Sequence, residues 1–128
     1  MKFIFNPIYG TLEVSQAGEV STIESSKITP MSGIIPATSS AIIDSITYTG
    51  FFAIRYFVAT QSSTGITNTF DYSIANGGSS TIKEVVFGQI FGGLDLNVSS
   101  FVDSGLVKFT ITNNESVSLT YKVHKLGF

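Results

Sequence analysis

Ile66-Thr67-Asn68-Thr69-Phe70-Asp71-Tyr72-Ser73-Ile74-Ala75 decides the fold class. Ile66, Phe70, Tyr72 and Ile74 fall on one face, and Thr67, Thr69, Asp71 and Ser73 on the other. A period of two is the repeat of a strand with one buried face. The alternation returns three times. Leu94, Leu96 and Val98 alternate with Asp95, Asn97 and Ser99. Val107, Phe109 and Ile111 alternate with Lys108, Thr110 and Thr112. Val117, Leu119, Tyr121 and Val123 alternate with Ser118, Thr120, Lys122 and His124. Ala41–Thr49, Phe51–Gln61 and Thr81–Phe91 read as further strands, the last two apolar on both faces. Gly50, Ser62–Gly65, Asn76-Gly77-Gly78-Ser79, Gly92-Gly93 and Asn113-Asn114-Glu115-Ser116 supply the turns. Asn and Gly suit turns because they accept φ > 0.

No window of eleven residues has the i, i+3, i+4, i+7 spacing of an amphipathic helix. Seven or more short strands joined by short turns predict an all-β domain, an antiparallel β-sandwich of jelly-roll-like type. A closed barrel is the competing arrangement. One-sided burial favours antiparallel pairing.

The first 36 residues have another pattern. Phe3-Ile4-Phe5 is a short apolar strand, Asn6–Thr11 a turn around Pro7 and Gly10, and Thr11–Ser15 a second strand. Residues 15–33 are mostly small and polar, and Pro30, Gly33 and Pro36 punctuate the approach to Ala37. The expected division is an N-terminal anchoring arm over 1–36, outside the core, and a β-sandwich domain over 37–128.

At 128 residues the chain is one domain, long enough to bury a single core. Hydrophobic residues are 43% and charged residues 12%, about half the usual charge. Ser and Thr number 32, a quarter of the chain, so hydroxyls cover surface that Lys and Glu cover elsewhere. The net charge is −2 and the seven basic residues are scattered singly. No basic run neutralises phosphates, so nucleic acid is not expected as a partner. No apolar run reaches the ~18–20 residues of a membrane helix, and no membrane is expected. The absence of cysteine removes disulfides and thiolate chemistry. The start, Met1–Pro7, is too short for a signal peptide core, so the chain is expected to reach its site without one.

The candidates for chemistry are few. His124 is the only histidine and sits on an outward face without a nucleophile motif beside it. The nine acids are dispersed and show no metal-loop spacing. Arg55, the only arginine, lies within the most apolar strand. Asp44, one strand earlier across a hairpin at Gly50, is its expected ion-pair partner. Phe51, Phe52, Phe87 and Phe91 are candidates for a subunit interface, because a two-layer sandwich covers only one face of each strand. The glycine pairs precede no helix and cradle no phosphate. No catalytic residue, cofactor or metal is expected, and the chain is not expected to be an enzyme.

Ala37-Thr38-Ser39-Ser40-Ala41-Ile42-Ile43-Asp44-Ser45-Ile46, then Phe51-Phe52-Ala53-Ile54-Arg55-Tyr56-Phe57-Val58, resembles the opening of a small β-domain of tailed-phage structural proteins. Val107–Asn113 and Val117–Lys125 are similar to its closing strand-turn-strand. The N-terminal Phe3-Ile4-Phe5-Asn6-Pro7-Ile8-Tyr9-Gly10-Thr11-Leu12-Glu13 resembles an anchor segment of phage appendages, with Glu13 where Asp is commoner. Lys83–Gly88 departs from the family in lacking a His-containing turn. The resemblance implies a virion structural protein: a fibre, tail-appendage or capsid-decorating subunit, located in the virion and made in the bacterial cytoplasm. It implies a homo-oligomer, a trimer, partnered by other virion proteins. Phe3, Phe5, Asn6, Pro7, Tyr9 and Leu12 are then the anchoring residues. The alternative is a host-receptor or carbohydrate-binding module of an appendage.

Overall fold

The computed structural model describes Phe3–Asn6, Thr11–Val14 and Ile28–Gly127, the first two as backbone strands only. Those two, β1 (Phe3–Asn6) and β2 (Thr11–Val14), pair antiparallel, Phe3 opposite Val14 and Phe5 opposite Leu12. The expected arm residues Phe3, Phe5, Asn6 and Leu12 therefore sit in a hairpin, and Pro7 and Tyr9 lie outside the described residues.

Eight more strands complete the chain: β3 (Ile28–Ile35), β4 (Ser39–Thr47), β5 (Ala53–Ser62), β6 (Thr67–Gly78), β7 (Thr81–Ile90), β8 (Leu96–Asp103), β9 (Leu106–Asn113) and β10 (Leu119–Gly127). They form a five-stranded sheet in the order β3-β10-β5-β6-β7 and a three-stranded sheet in the order β4-β9-β8. All pairings are antiparallel, and the fold is the expected β-sandwich. β3 pairs with β10 and β4 with β9, the wrapped order of a jelly roll, while β5-β6-β7 is a plain meander.

The alternating stretches are strands with the expected inner faces, except that Ile66 and Val117, expected inside, precede β6 and β10 and are exposed. Phe70, Tyr72 and Ile74 of β6 are buried, as are Val107, Phe109 and Ile111 of β9, and Leu119 and Val123 of β10. β5 adds Ile54, Tyr56 and Val58. Phe109 lies at the centre, its ring 4.5 Å from that of Tyr56 and 4.8 Å from that of Tyr72. Burying aromatic and branched side chains between two sheets is the main stabilising contribution here.

Two polar clusters join the sheets. In β4 the register shifts between Ile42 and Asp44, so a bulge turns both Ile43 and Asp44 toward the opposite sheet. The Asp44 carboxylate accepts from the Tyr56 hydroxyl at 2.8 Å and pairs with Lys125 at 2.9 Å. Burial, then the Asp44 charge, pushes the Tyr56 phenol above its ordinary range. Tyr72 donates to Glu84 and accepts from the Ser100 hydroxyl, and burial raises its phenol as well. The same Glu84 oxygen accepts from the backbone N–H of Ser100 on β8, which occupies a donor on that edge strand.

Three expectations need correction. The sandwich starts at Ile28, not at Ala37: β3 forms eight pairs with β10, and Ile35 is fully buried. Its sequence hid this because an edge strand can carry Pro30, which gives up no ladder donor it needs, and because most of its residues stay exposed. The hairpin between β6 and β7 turns at Ser79-Ser80, both at positive φ of 54° and 60°, and not at Asn76–Ser79. The Asn76 side chain is held by Tyr48, Gly78 and Phe51, which carries β6 through a bulge to Gly78. Phe51, a candidate for the interface, is a core residue with its ring edge-on to Tyr48 at 5.7 Å. It precedes β5 in the crossover between the sheets, where no strand alternation turns it outward.

The new boundary makes a prediction. Removing residues 1–27 should leave a cooperatively folding domain. Removing 1–35 should cost several kcal/mol more, because it deletes buried Ile35 and bares the edge of β10. Urea unfolding of both truncations checks it, and equal stabilities would return β3 to the arm.

Candidate functional site

The outer face of the five-stranded sheet gathers the side chains that the inner core leaves over. Registers place them in rows. His124 lies opposite Phe57, Phe57 opposite Asp71, and Asp71 opposite Phe87. Along the next row, Ile28 faces Leu126, Leu126 faces Arg55, Arg55 faces Ser73, and Ser73 faces Val85. Successive residues of a strand alternate in face, so this layout is set by the alternation that built the core.

Arg55 organises the middle of the face. Its guanidinium is 5.0 Å from the centre of the Phe57 ring and 4.9 Å from that of Phe87. It donates to Asp71 at 2.7 Å. Stacking between two aromatic faces suits the planar, weakly hydrated guanidinium. Arg55 is 42% exposed, so the pair itself contributes at most about 1 kcal/mol. Its effect is to hold two aromatic rings upright as a ridge.

The expected Arg55–Asp44 pair does not form. Gly50 sits in a crossover between sheets and not in a hairpin, so Asp44 on β4 faces Lys125 and Tyr56 across the core. Arg55 takes Asp71, its diagonal neighbour on β6. Asp71 is legible as an outward residue of its strand, and the diagonal rule for antiparallel pairs finds it once β5 and β6 are paired.

Two shallow depressions flank the ridge. One, about 350 Å³, is lined by Phe57, Ala59, Thr69, Asp71, Lys122 and His124 among others. The other, about 420 Å³, is lined by Ala53, Arg55, Ser73, Ala75, Lys83 and Leu126 among others. The small residues of β5 and β6 open them and the long ones fence them. His124 is exposed, as expected, and borders the first depression beside Lys122.

The charges on this face are one-sided. Arg55, Lys83, Lys122 and His124 share it with a single carboxylate, Asp71, which Arg55 already binds. Among the described residues neither Lys83 nor Lys122 has an ion-pair partner. Cations that stand singly in the sequence thus share one face, Lys83 and Lys122 at opposite corners of it. Among the described residues, no three His, Asp or Glu side chains converge to hold a metal ion.

The rim toward β7 is apolar. Val85, Ile90 and Phe91 are 54%, 69% and 67% exposed, Phe87 is 39%, and Phe52 is 77%. Gly88, at φ 63°, forms part of a break in register between Thr69 and Asp71. That break sends both Phe87 and Ile90 to the outer side. The opposite face, on the three-stranded sheet, carries hydroxyls bonded to each other, Ser40 to Thr112 and Ser99 to Thr110. No protein-family model and no curated protein matches the chain.

Proposed function

We propose that this chain is a structural subunit of a bacteriophage virion, a fibre, tail-appendage or capsid-decorating component. It acts by assembling, as a homotrimer and with other virion proteins. The observation that carries the assembly reading is the exposed row Val85, Phe87 and Ile90 along the edge strand β7, with exposed Phe91 just past its end. A long edge strand with apolar side chains and bare backbone groups favours association unless it is covered. The low charge of the chain leaves little to oppose it. The virion setting rests on the resemblance of residues 3–13 and 37–58 to phage appendage domains. Phe87 is partly engaged by Arg55, so Ile90 and Phe91 offer the larger free surface.

Light scattering after size exclusion at tens of micromolar should give the mass of a trimer. Ile90→Ser with Phe91→Ser should dissociate it, since each buried side chain of this size contributes about 1.5–3 kcal/mol. A monomeric wild-type chain overturns the assembly reading. A trimer indifferent to both substitutions keeps the oligomer and discards this surface.

A further inference from the structure

We propose that Asn76–Gly77 is a site of spontaneous modification whose rate the fold controls. Asn76 deamidates through its bond to Gly77, slowly while its side chain is clasped and fast when the clasp opens.

The reactive pair occurs once. Of the six asparagines, Asn76 alone precedes glycine. An asparagine amide is thermolabile, and its loss within the chain needs the next backbone nitrogen to reach the side-chain carbonyl carbon. A side chain on the next residue hinders that approach, and proline has no N–H to give up. Asn6 precedes Pro7, and Asn68, Asn97, Asn113 and Asn114 precede Thr69, Val98, Asn114 and Glu115.

The fold requires both residues where they stand. The Asn76 side chain accepts from the Tyr48 hydroxyl at 2.7 Å and from the Gly78 N–H at 2.9 Å, and it donates to the Phe51 carbonyl at 3.2 Å. Aspartate has the same shape, but near neutral pH it has no hydrogen for Phe51. A Cβ at Gly77 would fall 2.7 Å from the Thr81 hydroxyl, which the Gly78 carbonyl holds in place, and 3.2 Å from the Thr81 carbonyl oxygen. Hydrogen bonding and packing thus keep a chemically labile pair at the end of β6.

In the reaction the Gly77 nitrogen gives its proton to hydroxide and bonds to Asn76 Cγ. The Cγ–Nδ2 bond breaks, Nδ2 takes a proton from water and leaves as ammonia, and a cyclic imide remains. Water opens the imide at either carbonyl. One cut yields aspartate, the other isoaspartate, whose main chain runs through Cγ. Gly77 is exposed, so water and hydroxide reach it, whereas Asn76 is half-buried. Ring closure must turn Cγ toward the Gly77 nitrogen, which breaks the bonds to Tyr48 and Phe51. It also takes Asn76 out of the extended backbone that its pairing with Ile82 holds. Local opening at the end of β6 therefore precedes reaction.

Either product undoes what the amide does. A carboxylate at position 76 faces the Phe51 carbonyl without a hydrogen, and Phe51 is the core residue of the crossover, edge-on to Tyr48. Isoaspartate lengthens the main chain where the register with β7 already shifts, between Asn76 and Gly78. Modification therefore loosens the crossover and the β6–β7 hairpin together.

Peptide mapping by mass spectrometry tests the proposal on the full chain incubated at mildly alkaline pH. Conversion to a mixture of aspartate and isoaspartate should appear at Asn76 before any other asparagine. Tyr48→Phe keeps the ring against Phe51 and removes one hydrogen bond of the clasp. It should speed conversion about fivefold, the factor that one net hydrogen bond sets on the open fraction. Urea sufficient to unfold the wild type should speed it about tenfold or more over the native chain. Circular dichroism establishes that Tyr48→Phe is folded. Equal rates in native and unfolded wild type overturn control by the fold, whether or not Tyr48→Phe folds. An unfolded chain that converts first at another asparagine overturns the site. A folded Tyr48→Phe with wild-type kinetics overturns the clasp as the contact that sets the rate.

Discussion

Phe109→Ala should destabilise the fold by about 3–5 kcal/mol, the largest single-residue loss in the hydrophobic core. Phe109 is fully buried on the central strand of the three-stranded sheet. It is the one ring that touches both Tyr56 and Tyr72. Its loss leaves a cavity between the two sheets that neither tyrosine can fill. The Tyr56 hydroxyl is tied to Asp44, and the Tyr72 hydroxyl to Glu84 and Ser100. Rings held at both ends collapse little, which places the cost toward the upper part of the range. Thermal unfolding should show Tm falling on the order of 10–20 °C. Phe109→Leu should recover about half of the loss by refilling part of the volume. If Phe109→Ala cost under 1 kcal/mol, the tyrosines would have to repack, and their hydrogen bonds could not anchor the core as described.

The sandwich is legible wherever one face of a strand is polar. Ile66–Ala75, Val107–Asn113 and Val117–Val123 alternate because water lies on one side and Phe109 with its neighbours on the other. β3 is not legible, because most of its residues are exposed and its proline suits a linker as well as an edge. Its membership is decided by pairing with β10, which is nearly ninety positions away in the chain and leaves no local mark. The outer face is half legible. His124 and Lys122 alternate outward in the sequence, and the excess of apolar groups on Thr81–Phe91 already asks for cover. The partner of Arg55 depends on which strands share a sheet, and Gly50 marks a hairpin and a crossover alike. That Lys83, Lys122 and Arg55 share one face depends on three separate strands joining one sheet, so no linear spacing encodes it.

The buried amides escape a sequence reading for a related reason. Asn68 and Asn113 are fully buried; Asn68 is a polar residue on the inner face of a strand, and Asn113 opens a stretch where Asn ordinarily signals exposed loop. Asn68 accepts from the N–H of Gly92 at 2.6 Å and donates to the carbonyl of Leu94 at 3.0 Å, fastening the β7–β8 connection to β6. A Cβ at Gly92 would fall 2.0 Å from the Thr67 carbonyl oxygen, so the connection passes where only glycine fits. Side chains that satisfy loop backbone groups cannot be told from turn formers until the loop path is known.

Asn113 fastens the same end of the sandwich from the other sheet, and replacing it should cost about 3 kcal/mol. Its amide nitrogen lies within hydrogen-bond distance of the carbonyl oxygens of Ile35, Pro36 and Val117, at 3.2, 3.1 and 2.8 Å. Its oxygen accepts from the N–H of Glu115 at 2.8 Å. One side chain therefore joins the end of β3, the start of β10 and the turn between β9 and β10. Asn113→Ala leaves these buried groups without partners, and an unmet buried polar group costs about 1–3 kcal/mol. Asn113→Asp is more informative because it preserves shape and keeps the acceptor toward Glu115. Near neutral pH the introduced carboxylate would face three carbonyl oxygens with no hydrogen to donate. Burial and these dipoles raise its folded-state pKa above the unfolded value of ~3.9. The folded state then binds the proton more tightly, so the variant loses stability as pH rises from about 4 toward 7 and regains it on acidification. Once protonated, the acid donates to one carbonyl and relieves part of the repulsion. Urea unfolding of Asn113→Asp and the wild type at about pH 4.5 and about pH 7 should show the gap between them widening at the higher pH. A gap that is constant across that interval would mean that the carboxylate reaches water, and Asn113 would then not be the buried clasp of β3, β9 and β10.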